Sequence, residues 1–294
     1  MINYLIAALA GIFATSQSTF TKIAPRVEGK PKIMRFNVMK VGAAFAIFAL
    51  IFIWKMQLHL PTFIYAGIYG ASQFFSTLFG FLALASGSLA LTSTIVSYSV
   101  VIPCAFGIIF LREDVSLLNG LGLALLLVSI FLLKKPSDGK KFSKEWLTYV
   151  AITFGCNGIS SIVQKLHQSA YPGKFQGEFM IFSMLVSFLL FVIVWLASGK
   201  DAGDGVCHAK FAIPAGVLMG FNSFLTLSLA SKFNASVLFP TVSVFQTVFN
   251  LLFSKVFFRE KLNVRQIIGI LVGVASVILI KRKKYGSKIL NRTF

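Results

Sequence analysis

Four polar residues fall on one side of an apolar segment in the last quarter of the chain. They are Ser243, Gln246, Thr247 and Asn250, at i, i+3, i+4 and i+7. That spacing is one face of a helix. Each carboxamide brings two donors and an acceptor oxygen. Such groups are costly in hydrocarbon, so this face turns toward protein or a wet cavity. Two readings stand side by side: hydrogen-bond glue between helices, or contacts to a bound polar solute. Four such groups exceed what packing needs.

Similar groups recur near the middle of other apolar segments. They include Gln17 beside Thr15 and Ser18, Gln73 beside Ser76 and Thr77, and Tyr98 with Ser99. Asn157 and Gln164 flank Ser160 and Ser161, and Asn222 precedes Ser223 and Thr226. Segments 115–134 and 264–281 carry almost none. The pattern predicts a polar cavity lined by helices 1, 3, 4, 6, 8 and 9, with 5 and 10 outside. Lys22 and Lys165 lie about one turn inside the ends of their helices. They either snorkel to headgroups or attract an anionic substrate group at the mouths of the path. Lys40, Lys55, Lys232 and Lys255 read as snorkelling.

The chain is poor in groups that do covalent chemistry. No histidine neighbours a serine, and neither an HExxH nor a Walker motif is present. Its 3 cysteines and 3 histidines show no metal spacing. All 9 acidic residues fall in loops or at segment ends. This excludes a metal or cofactor site, a catalytic site and a buried carboxylate relay, and it leaves a cationic solute without a counter-charge.

The elements that hold these groups follow from composition. Of 294 residues, 56% are hydrophobic and only 13% charged, against about 25% charged in soluble domains. Mean hydropathy is +0.82. The chain therefore belongs in a bilayer, with lipid as its surroundings. The net charge of +19 sits in short connections between apolar runs, which favours headgroups over nucleic acid.

A spanning helix needs roughly 20 mostly apolar residues. Ten segments qualify: 3–23, 35–54, 61–84, 88–110, 115–134, 146–168, 177–198, 210–231, 236–258 and 264–281. Backbone in hydrocarbon must satisfy its own hydrogen bonds, so the fold class is an all-α integral membrane protein.

One motif occurs twice. Arg112-Glu113 ends the fourth segment, and Arg259-Glu260 ends the ninth. At that same offset Gly122 meets Gly269, Ser129 meets Ser276, and Lys134 meets Lys281. The chain thus divides into a first five-helix repeat (1–135), a basic connecting loop (136–145), a second repeat (146–282) and a basic tail (283–294). Five is odd, so the second repeat enters the membrane inverted. Inverted repeats mark transporters whose substrate site lies at mid-depth between the halves. The two Arg-Glu corners read as structural anchors held by local ion pairs. The GxxxG of Gly269 and Gly273 reads as packing within one chain.

Ten helices, a five-plus-five repeat and a Glu corner after helices 4 and 9 resemble the drug/metabolite transporter superfamily, EamA type. The resemblance covers nearly the whole chain, with two departures. The corners read Arg-Glu where the family often has Gly-Glu, and Val100 and Thr247 stand where a proline is common. It implies a multi-pass protein of a bacterial plasma membrane with both termini cytoplasmic. The expected function is a secondary transporter, a permease or exporter of a small polar metabolite such as an amino acid, working by alternating access. The alternatives are an exchanger of an organic anion or sugar conjugate, and a non-transporting structural membrane protein. Partners are the small-molecule substrate and membrane lipid, with monomer and homodimer both open.

Overall fold

The computed structural model describes residues 2–24, 30–86, 92, 95–96, 98–113, 117–133, 143–199, 205–258 and 264–281. Among them the chain is helical, with no strand. In chain order the helices are α1 (Ile2–Ile23), α2 (Lys30–Phe52), α3 (Leu60–Ser86), α4 (Val101–Ile109) and α5 (Leu117–Leu133). They continue with α6 (Lys144–Ala170), α7 (Gln176–Ala197), α8 (Gly205–Ala230), α9 (Ala235–Phe258) and α10 (Val264–Lys281). Among the described residues, four stretches are long and apolar enough to cross a membrane: Lys32–Lys55, Lys144–Ala170, Gln176–Ala197 and His208–Ala230. Tyr98–Ile109 and Ala235–Asn250 are shorter apolar helices.

Two helix ends show why the segments stop where they do. At the start of α6 the Ser143 hydroxyl accepts from the Trp146 N–H at 3.1 Å, satisfying one donor of the open first turn. At the end of α4 the Glu113 N–H donates to the Gly107 carbonyl at 3.0 Å, and Arg112 takes the left-handed conformation (φ 49°). The chain reverses there.

The helices pack in a regular scheme. α3 lies on α6 and α7, α1 on α8 and α9, α2 on α7 and α8, and α5 on α10. Replacing each helix by the one five places away turns α1 on α8 into α6 on α3, and α2 on α8 into α7 on α3. Lipid gives helices little hydrophobic reason to associate, so close contact must come from small residues and interlocking side chains. Ala7, Ala10 and Gly11 supply that on α1. A Cβ on Gly11 would sit 2.8 Å from the Phe245 Cβ and 2.9 Å from the Gln246 backbone nitrogen of α9. Phe48, Phe179, Phe191 and Leu227 fill the centre between α2, α7 and α8.

The α5–α10 pair stands apart. The Ser129 hydroxyl donates to the Gly269 carbonyl at 2.7 Å, and a Cβ on Gly273 would meet the same hydroxyl at 2.7 Å. The GxxxG thus packs within the chain, as expected.

A hydrogen-bonded chain fixes the loop ends of α3 and α6. Gln168 Oε1 accepts from the Gly173 backbone N–H at 3.0 Å, so its amide nitrogen faces the His167 ring. His167 Nδ1 is therefore an acceptor. His167 Nε2 lies 3.1 Å from the Thr62 hydroxyl, which lies 2.9 Å from His59 Nδ1. A hydroxyl has one proton to give. In neutral His167 that proton goes to His59, and Nε2–H donates to Thr62.

Candidate functional site

A cavity of about 480 Å³ opens between the helices. Polar residues from seven helices and one 3-10 turn line it, since such groups are costly in hydrocarbon. From α1 comes Gln17, and from α3 Tyr69, Gln73 and Thr77. Ser99 and Val100 come from the turn before α4. Asn157, Ser160, Ser161 and Gln164 come from α6, and Asn222 and Ser223 from α8. The face of α9 with Ser243, Gln246, Thr247 and Asn250 forms one wall. α5 and α10 contribute no lining residue among those described.

Part of this polarity is tied up in structure. Gln73 Nε2 donates to the Tyr69 hydroxyl at 3.1 Å, and Tyr69 donates to the Ser223 hydroxyl at 3.3 Å. The Ser76 hydroxyl donates to Asn157 Oδ1 at 2.6 Å. Gln164 Nε2 donates to the Ser223 carbonyl at 3.4 Å. These bonds knit α3, α6 and α8 together. On α9, Thr247 donates to the Ser243 carbonyl one turn back at 2.7 Å, and Thr15 of α1 donates to the Gln246 carbonyl at 3.1 Å.

The rest is uncommitted. No described residue bonds the carboxamides of Gln246 or Asn250. Asn222 Oδ1 is buried and has no hydrogen-bond partner among the described residues.

Three groups differ from the sequence reading. Tyr98 does not line the cavity. It sits in a single 3-10 turn, Tyr98–Val100, and packs against the α1/α8/α9 core. Pro103 has no N–H for the Ser99 carbonyl, and the turn before it is wound as a 3-10 helix that runs into α4. Lys40 does not snorkel. It is only 7% exposed and lines the cavity. α2 begins at Lys30 rather than near residue 35, so Lys40 lies about 15 Å into the helix. α7 also reaches the cavity through Ser183 and Ser187. Their i, i+4 spacing in an apolar segment was the available signal, as it was for α9.

The two lysines at the helix ends have different surroundings. Lys22 is exposed at the end of α1. Lys165 is buried, 3.4 Å from Glu113 Oε1. Its ammonium also donates to the carbonyls of Ala230 (3.1 Å) and Phe233 (2.5 Å). Glu113 does not close its corner locally. Its carboxylate accepts from the backbone N–H groups of Ala235 (2.7 Å) and Ser236 (3.2 Å) and from the Ser236 hydroxyl (3.2 Å). It thus caps the open first turn of α9. Gly107 leaves room for it, since a Cβ there would lie 2.6 Å from Oε2. The matching corner, Arg259-Glu260, lies outside the described residues.

An all-helical fold with several long apolar helices around a polar cavity is that of an integral membrane protein. A model of the EamA-like transporter family, of the drug/metabolite transporter superfamily, matches residues 144–282. Members of that family are transporters and not enzymes. A solved structure titled only "Crystal structure of protein" superposes with a TM-score of 0.75 at 13% identity, over 95% of this chain and 96% of its own. That likeness shows the fold alone. No curated protein matches the chain.

Proposed function

We propose that this membrane transporter of the drug/metabolite type is a secondary transporter of a small polar metabolite. It binds its substrate in the cavity between α1, α3, α6, α8 and α9 and works by alternating access. The observation that carries the reading is the cavity itself. Its volume of about 480 Å³ lies in the range of small-molecule sites. Its wall holds more polar groups than the helices use among themselves, with the carboxamides of Gln246 and Asn250 unbonded among the described residues. The packing scheme supports two inverted five-helix repeats, since the main helix contacts recur when each helix is exchanged for its counterpart. Rocking one repeat on the other would expose the cavity to each side in turn. Gln17, Gln73, Asn157, Gln164 and Ser99 complete the binding surface opposite Ser243, Gln246, Thr247 and Asn250.

Counterflow in proteoliposomes with a metabolite panel tests this. A responsive solute is expected, and Gln246→Ala or Asn250→Ala should cut its flux about tenfold, the effect of roughly 1.4 kcal/mol of lost binding. Normal flux in both variants would remove α9 from the site. No flux for any solute would favour a structural membrane protein.

A further inference from the structure

The cavity holds one charged side chain among its described lining, that of Lys40. No described carboxylate shares it. Glu113 is engaged with Lys165 and the α9 N-terminus. Glu145 is exposed in the first turn of α6. Glu178 accepts from the Gln57 N–H at 2.9 Å. No described residue bonds or ion-pairs the Lys40 ammonium. Its backbone is held firmly in place, because a Cβ on Gly216 of α8 would lie only 1.8 Å from the Lys40 carbonyl oxygen.

A buried ammonium without a partner is unfavourable, and an anion in the cavity relieves it. One ammonium balances one negative charge. A phosphate monoester near −2 would leave a surplus. A zwitterion would leave the site with a net positive charge.

We infer that the substrate is a small monocarboxylate, with its carboxylate on Lys40. This rests on the transporter reading above and narrows it from polar metabolites to net monoanions. It also relocates anion recognition from Lys22 and Lys165 to mid-depth.

The test uses proteoliposomes of the full chain, incubated with a mixture of small metabolites spanning all charge classes. Solutes gained over protein-free vesicles are identified by mass spectrometry. The expected gain is confined to monocarboxylates. Lys40→Gln should reduce it at least tenfold, and Lys40→Arg should retain it. Because removing a buried charge can unsettle folding, Asn222→Asp is the second variant. It is nearly isosteric and sets a carboxylate against the anion, so it too should abolish uptake while the protein stays monodisperse. Uptake of neutral, zwitterionic or dianionic solutes, or monocarboxylate uptake that survives Lys40→Gln, overturns the inference. Zwitterion uptake lost in Gln246→Ala would do so while leaving the transporter reading intact. Uptake of nothing at all would remove the transporter reading and this one together.

Discussion

The Lys165 ammonium stands 3.4 Å from Glu113 Oε1, joining residues from opposite halves of the chain. Neither partner is local to the other. Glu113 follows α4 and Lys165 lies in α6, yet their contacts run to the end of α8 and the start of α9. The carboxylate faces both an ammonium and two open backbone N–H groups, so its charge is balanced twice. The knot fixes how α9, which carries one wall of the cavity, enters the membrane.

Glu113→Gln should therefore be strongly destabilising. It leaves Lys165 buried with only carbonyl partners, and breaking a buried pair this way costs about 3–5 kcal/mol. Lys165→Met in the same protein should recover part of the loss, since no uncompensated charge then remains. Thermal denaturation in detergent of the wild type, both single variants and the double variant gives the coupling. Additive losses would show that the two groups act independently.

Gly216→Ala should separate α2 from α8. The added Cβ would fall 1.8 Å from the Lys40 carbonyl, and backbone on both sides cannot move aside as a flexible side chain would. Overpacking of this kind costs about 1–3 kcal/mol or more. The expected outcome is a lower melting temperature and loss of flux together, because the shift also displaces the Lys40 side chain. Unchanged flux would mean that the position of α2 does not matter to the cavity.

The polar wall was legible in the sequence for a physical reason. Gln17, Gln73, Asn157, Asn222, Gln246 and Asn250 sit in apolar segments, and amides in hydrocarbon must find one another or water. Their convergence follows from chemistry without coordinates. Lys40 was misread because its depth depends on where α2 begins, and lysine tolerates either a headgroup or a cavity. A boundary shift of about one turn decided between them. The partner of Glu113 was not legible either. The neighbouring arginine is the obvious ion-pair candidate along the chain, while Lys165 comes near only through the packing of α4, α6 and α9. Tyr98 looked like a cavity residue on a regular helix, whereas it sits in a 3-10 turn and packs against the core.

Thr62→Val should weaken the α3–α6 junction. Thr62 is fully buried and both accepts from His167 and donates to His59. Valine keeps the shape and removes both bonds, leaving two imidazole nitrogens without their partner. A loss of about 1–3 kcal/mol is expected. Thr62→Ser, which restores the hydroxyl, should recover most of it. If valine melts at the wild-type temperature, the histidine chain is not structural.

Ser129→Ala provides the contrast. Ser129 is buried between α5 and α10, and its one described bond goes to the Gly269 carbonyl. Interhelical bonds of this type in membranes average about 0.6 kcal/mol, so a small drop in melting temperature is expected. Neither α5 nor α10 contributes a described residue to the cavity, so solute selectivity in counterflow should not change. Altered selectivity with intact folding would mean that the α5–α10 pair takes part in shaping the site, and that the division between a lining set of helices and an outer pair is wrong.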